Sequence, residues 1–168
     1  MVILLDASAF ILGYNLTPDE EYYTVYEVFS EIRSDVAKIR FEGAKSSGRL
    51  IETTPNQAAI DELESVALQM GESHRLSRTD KRLLALALQL QKEGRKPVIV
   101  SEDYSVQNMA SRLGIGFKPL SVRGISRRLD WIIYCPGCGK VYEKQQEDGI
   151  CPICGTRLKT KPSRKKVI

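Results

Sequence analysis

The stretch Val2-Ile3-Leu4-Leu5-Asp6 decides how this chain is read: four apolar residues, two of them β-branched, run directly into a carboxylate. A run so short at the very start of the sequence cannot make a buried helix. It has the length and composition of a central parallel strand covered on both faces. Pro97-Val98-Ile99-Val100 repeats the pattern and leads into Ser101-Glu102-Asp103, so a second strand also ends at acids. Open α/β sheets place ligands at the carboxyl ends of their strands, which singles out Asp6 and Asp103 by position.

Between these strands the spacing predicts alternating elements. Residues 19–33 place Tyr22, Val25, Tyr26, Val28, Phe29 and Ile32 in a helical rhythm, with Glu31 near the helix's C-terminal end. A second helix is expected over 36–44, broken by Ser46-Ser47-Gly48, then a short strand over 49–53. Pro55 opens a further helix from its tolerated first-turn position, running to about Met70. Residues 71–78 form a polar loop holding His74, after which Ser77 or Thr79 can cap a helix containing Leu83, Leu84, Ala87, Leu88 and Leu90. Asp80 lies in that helix's first turn and Gly94 ends it. A helix over 105–113 and a strand near 115–120 complete a βα alternation, an α/β fold with a mainly parallel sheet flanked by helices.

The 168 residues, 42% hydrophobic and 27% charged, suit one modest domain plus an appendage. No apolar stretch approaches the roughly 20 residues that cross a bilayer. The N-terminus lacks the basic region and small-residue cleavage site of a secretory signal, so a cytoplasmic protein without a membrane partner is expected. The net charge of +4 is unevenly shared: residues 1–118 carry 14 Lys+Arg against 17 Asp+Glu, and residues 119–168 carry 11 against 4. A basic C-terminal module points to an anionic polymer as partner. Residues 1–122 are expected as the α/β domain, 123–130 as a linker, 131–160 as a small ribbon and 161–168 as a solvated basic tail.

All four cysteines lie in that ribbon, as Cys135-Pro136-Gly137-Cys138-Gly139 and Cys151-Pro152-Ile153-Cys154-Gly155, their inner cysteines separated by twelve residues. Each Cys-x-x-Cys turn aims two sulfurs at one point, and four sulfurs close a tetrahedral zinc site that folds the module without offering an open position for chemistry. Residues 142–149 are long enough for a hairpin between the knuckles. Two disulfides, redox-active dithiols or a rubredoxin-like iron are the alternatives.

Asp6, Glu31, Asp80 and Asp103 form the candidate acidic set. Carboxylates buried together are costly unless a cation neutralises them, and oxygen ligands suit Mg²⁺ or Mn²⁺. Taken singly, each has a plain structural reading: a turn residue for Asp6, a solvated helix residue for Glu31, a favourable helix-start charge for Asp80, an N-cap for Asp103. Ser8 and Ser101 stand close enough in sequence to bond the acids or simply to cap turns. His74 has no second histidine, serine or cysteine arranged with it for acid–base catalysis, which favours metal chemistry.

Together these residues resemble the PIN-domain nucleases, and within them the Nin-one-binding protein family. Val2-Ile3-Leu4-Leu5-Asp6-Ala7-Ser8-Ala9-Phe10 is similar to the opening PIN motif, and Glu31 in Val28-Phe29-Ser30-Glu31-Ile32 to the helix-borne second acid. Leu76-Ser77-Arg78-Thr79-Asp80 resembles the third, and Val100-Ser101-Glu102-Asp103-Tyr104 the fourth. Relatives often carry Asp where this chain has Glu102, leaving open whether Glu102 meets metal. The order of PIN-like domain then zinc ribbon covers nearly the whole chain, and its compactness is that of archaeal members. The resemblance implies a Mg²⁺- or Mn²⁺-dependent endoribonuclease that forms the mature 3′ end of small-subunit ribosomal RNA on the pre-small subunit. Asp6, Asp80 and Asp103 would hold metal, and Glu31 would bind it or orient the attacking water. Phosphate contacts are expected from Arg123, Arg127, Arg128, Lys140, Lys144, Arg157 and Lys159. Trp131, Tyr134 and Tyr142 are candidates to stack on unpaired bases, with packing of the ribbon onto the main domain as the alternative for Trp131 and Tyr134. The competing readings are a PIN toxin-like ribonuclease with another RNA target and a non-catalytic RNA- or ribosome-binding adaptor.

Overall fold

In the computed structural model, residues 1–121, 127–128, 131–143, 146, 148–163 and 166–167 are described. Five parallel strands form the main sheet: β1 (Val2–Leu5), β2 (Glu21–Val25), β3 (Leu50–Thr53), β4 (Pro97–Val100) and β5 (Gly116–Lys118), in the order β3-β2-β1-β4-β5. The two stretches that suggested buried strands, β1 and β4, pair in register from Val2↔Pro97 to Leu5↔Val100. Leu4, Leu5, Ile99 and Val100 are fully buried. The chain builds outward from β1 through β2 and β3, then returns to the other side of β1 for β4. The direction of winding therefore reverses between β1 and β4, the point at which such sheets open a crevice beyond the strand ends.

The helices are α1 (Ala7–Leu12), α2 (Tyr26–Glu31), α3 (Asp35–Ser46), α4 (Gln57–Gln69), α5 (Arg78–Lys92) and α6 (Tyr104–Leu113). Helix α5 buries Leu83 through Leu88 without a break, so it lies within the core rather than on it. Phe41 of α3 is sandwiched between Phe10 and Phe29, ring centroids 4.9 and 5.1 Å away.

Two expectations for this domain are corrected. Residues 19–33 are not one helix: Glu21–Val25 is a strand and only Tyr26–Glu31 is helical. Tyr22 and Thr24 are buried, with the Thr24 hydroxyl donating to the Leu5 carbonyl at 2.8 Å. An aromatic and β-branched run favours a pleated surface, and its apolar residues mimicked a helical period because the strand passes into α2 with no turn between. Pro55 stands just before the N-cap Asn56 of α4, outside its first turn. Helix α1 had no sequence expectation; Asp6 starts it, and Gly13 ends it at φ +74°, left-handed backbone that glycine adopts at little cost.

Beyond this domain, β6 (Arg127–Arg128) pairs with β10 (Lys166–Val167), and β7 (Trp131–Tyr134), β8 (Val141–Tyr142) and β9 (Lys159–Pro162) form an antiparallel sheet in the order β8-β7-β9. Residues 161–162 of the stretch expected as a solvated tail thus continue β9 of the ribbon, with Trp131 opposite Pro162 and Tyr134 opposite Lys159. Pairing flanks each knuckle, by β7–β8 around the first and an Ile150–Arg157 bridge around the second, while part of the 142–149 stretch read as long enough for a hairpin lies outside the described residues. Ile133, Cys135, Cys151 and Leu158 make a small core of their own. No helix among the described residues is long and apolar enough to cross a membrane.

Candidate active site and metal centre

Three of the four acids come together where the sheet's winding reverses, and each begins a helix. Asp6 follows β1 as the N-cap of α1, with Oδ1 accepting from the Ala7 amide at 2.7 Å. Its Oδ2 accepts from Ser8 Oγ at 3.0 Å and from Ser101 Oγ at 2.8 Å. Asp103 follows β4 as the N-cap of α6, its Oδ1 accepting from the amides of Ser105 and Val106. Ser101, fully buried, also accepts the Asp103 amide at 3.0 Å. One hydroxyl therefore ties the two strand-end acids together. Asp80 belongs to a capping box at the start of α5: its Oδ2 accepts from the Ser77 amide at 2.8 Å while Ser77 Oγ accepts from the Asp80 amide at 3.1 Å.

The plain structural readings hold for Asp80, at a helix start, and for Asp103, as an N-cap, while Asp6, read as a turn residue, is an N-cap too. Asp6 and Asp103 accept helix amides through Oδ1, and Asp80 closes its capping box through Oδ2. Burial raises the Asp80 pKa above the ordinary aspartate range; its capping bonds with Ser77 oppose the rise, and the charges of Asp6 and Asp103 reinforce it. A carboxyl in such surroundings favours a proton or a cation. Among the described residues, the cysteines are the group whose ligand atoms stand close enough to hold a metal ion, and these acids do not form a second such group.

Glu31 ends α2 exposed, its carboxylate making no hydrogen bond or ion pair among the described residues. Glu102 is turned away. Its carboxylate accepts from the Leu120 amide, from the Ser121 amide at 2.6 Å and from Ser121 Oγ at 2.7 Å, and the Ser121 hydroxyl, followed by these amides, lowers its pKa. Glu102 clasps the chain leaving β5.

In the ribbon the four Sγ atoms lie within 4.8 Å of one another, with Cys135–Cys154 at 3.3 Å and Cys138–Cys151 at 3.6 Å. These spacings are far beyond a disulfide and near the edge of about 3.8 Å that four sulfurs at about 2.3 Å from one ion would have. The knuckles are built alike: Gly139 N–H donates to the Cys135 carbonyl and Gly155 N–H to that of Cys151, both at 2.9 Å. The four cysteines form a group able to hold a metal ion.

Of the residues expected at RNA, Lys140, Arg157 and Lys159 are exposed on the ribbon. Arg123 and Lys144 lie outside the described residues, and for Arg127 and Arg128 only the strand is described. The aromatic residues are engaged within the protein: Trp131 under the Arg75 guanidinium at 3.4 Å, Tyr134 under Lys161 Nζ at 4.5 Å, and Tyr142 with its hydroxyl 2.9 Å from Cys151 Sγ. His74 is exposed and lines a cleft of about 670 Å³ with Arg157 and Lys159. Sequence reasoning missed Glu72, an acid with 1% exposure that hydrogen-bonds Asn108 at 2.7 Å. Its only sequence signal is a charged residue beside Gly71, where the helical pattern stops.

The family model for the PIN domain of ribonuclease matches residues 3–90. The chain is 36% identical over 164 residues to the endoribonuclease Nob1 of Pyrococcus abyssi, spanning 98% of this chain and 96% of that protein. With the endoribonuclease Nob1 of Methanothermobacter thermautotrophicus it shares 38% identity over 96% of this chain and 93% of the relative. The ribonuclease VapC1 of Thermoplasma acidophilum is 32% identical over 99% of this chain and 81% of its own length.

Proposed function

Since the chain belongs to the PIN-domain ribonucleases, in the family of the archaeal Nob1 endoribonucleases, we propose that it cuts precursor small-subunit ribosomal RNA to form the mature 3′ end. The observation that carries a nuclease reading is the convergence of Asp80, at the start of α5, with Asp6 and Asp103 at the ends of β1 and β4, where Asp80 is buried beside the charges of the other two. A bound Mg²⁺ or Mn²⁺ would supply charge stabilisation at the phosphodiester and an ionised water for attack. The three aspartates would hold that ion. Ser8 and Ser101 fix the Asp6 carboxylate by donating to its Oδ2, and the capping bonds fix Asp80. Glu31, at the exposed end of α2, would orient the water or join the ligand set once RNA is seated.

The cysteines would hold a structural Zn²⁺, with Cys135, Cys138, Cys151 and Cys154 as its complete ligand set. Lys140, Arg157 and Lys159, with Arg123, Arg127, Arg128 and Lys144, would supply phosphate contacts on a pre-small ribosomal subunit in the cytoplasm. We take 1–122 as the nuclease domain, 123–130 as the linker and the remainder as ribbon and tail, with β9 assigned to the ribbon.

A second reading, a ribonuclease with another RNA target, draws on the similarity to VapC1, which spans 99% of this chain. The ribbon by itself therefore does not separate the two. The test is cleavage of an end-labelled RNA spanning the 3′ junction, with Mn²⁺ or EDTA, by wild type and Asp103→Asn. One metal-dependent cut at the junction, lost in the variant, is expected. Scattered cuts would favour the second reading, and tight binding without cutting would favour an adaptor.

A further inference from the structure

The loop between α4 and α5 carries a buried polar cluster that no catalytic step uses. Glu72, with 1% exposure, accepts from Asn108 Nδ2 at 2.7 Å and from the Trp131 indole N–H. Asn108 is itself buried and stands on α6, the helix that begins at Asp103. Trp131 begins β7, the first strand of the ribbon sheet. Its ring is covered by the guanidinium of Arg75 at 3.4 Å, and the Arg75 amide donates back to the Glu72 carbonyl at 2.9 Å. Two residues later, Ser77 opens the capping box that orients Asp80. The ribbon also approaches this loop at Gly71, φ +70°, where a Cβ would lie 3.4 Å from Thr160 Cγ2 and 3.7 Å from Trp131 Cβ.

One carboxylate thus joins three elements: the loop leading to Asp80, the helix led by Asp103, and the ribbon. We propose that the ribbon is a positioning element of the active site, acting through Trp131, Glu72 and Arg75 to hold Asp80 and Asp103 in register, in addition to any contact it makes with RNA. The idea rests on the metal-site reading given above. A carboxylate excluded from water is held hard by its donors, because an unpaired partner in that setting has no solvent to turn to. Small displacements of an acid that binds metal are costly to catalysis. Trp131, Glu72 and Arg75 are positioning residues: they touch neither the acids nor the reacting atoms.

The test uses the full chain with zinc bound. Trp131→Phe keeps a ring under Arg75 and removes the indole N–H. Amide hydrogen exchange at Ser77 and Asp80 is expected to quicken on the order of tenfold, with kcat lowered, KM unchanged and zinc content unchanged. Glu72→Gln, which retains an acceptor for the indole, is expected to recover most of the kcat lost in Glu72→Ala. Unchanged exchange in Trp131→Phe would overturn the proposal, as would a rise in KM alone, which would make Trp131 an RNA contact, or loss of zinc, which would make the effect one of ribbon folding. If wild-type cleavage proves independent of Mn²⁺, the metal-site reading fails, while the exchange measurement still decides the coupling.

Discussion

Replacing Ser101 by alanine removes a single oxygen, yet it should be among the most damaging small substitutions in the protein. Ser101 Oγ donates to Asp6 Oδ2 at 2.8 Å and accepts the Asp103 amide at 3.0 Å, at a site with no solvent exposure. A hydrogen bond to a charged group contributes about 1.5–3 kcal/mol, and leaving a shielded amide unpaired costs about 1 kcal/mol more. The two together come to about 3 kcal/mol. In a chain of 168 residues that lowers Tm by about 6–12 °C. The attribution to a charged acceptor can be tested separately, since charge-assisted bonds are roughly twice as strong as neutral ones. In an Asp6→Asn background the same Ser101→Ala change should cost about 2 kcal/mol instead of about 3, a coupling of about 1 kcal/mol in a double-mutant cycle. Urea unfolding of the four proteins with zinc retained and no added Mg²⁺ or Mn²⁺ measures all the terms. A cost below about 1 kcal/mol for Ser101→Ala, or the same cost in both backgrounds, would refute the view that this hydroxyl holds the two acids.

Two other predictions follow from the same geometry. Because burial raises the Asp80 pKa, with Asp6 and Asp103 adding to the rise, the folded state holds that proton more tightly than the unfolded chain. The stability it contributes is complete below the unfolded value, near pH 4, and is lost as pH rises through the folded one. Metal-free Asp80→Asn should therefore melt above wild type at neutral pH, with the gap closing toward pH 4, and should not cleave RNA; a gap independent of pH in melting curves would contradict this. In the ribbon, a Cβ at Gly137 would stand 2.5 Å from Thr156 Oγ1 and 3.3 Å from Cys154 Sγ. Gly137→Ala should hold zinc less tightly, releasing it faster to a chelator while the helical circular dichroism of the main domain persists, and equal release rates would argue against the ribbon geometry.

The sequence by itself determined the features that depend on a few adjacent residues. The runs at Val2–Leu5 and Pro97–Val100 declared themselves as strands because their apolar residues leave no polar face. The Ser77 cap was legible because capping is a relation across three residues. The two Cys-x-x-Cys knuckles were legible because each is a single tight turn. The order of acids was legible as a family resemblance. Tertiary structure decided the rest. Glu21–Val25 became a strand because β1 offered it an edge, which local spacing does not record. Asp6, Asp80 and Asp103 met because the sheet's winding reverses between β1 and β4, a property of strand order that appears in no short window of sequence. Glu102 and Glu31 could be told from these acids only by seeing where each carboxylate goes, one to the Ser121 backbone and hydroxyl and the other to solvent. The tie from Glu72 to Asn108 and Trp131 joins residues 36 and 59 positions apart in the chain. Burial is set by what the whole chain packs against a residue, so a lone acid in a loop carries no mark of it until the fold closes.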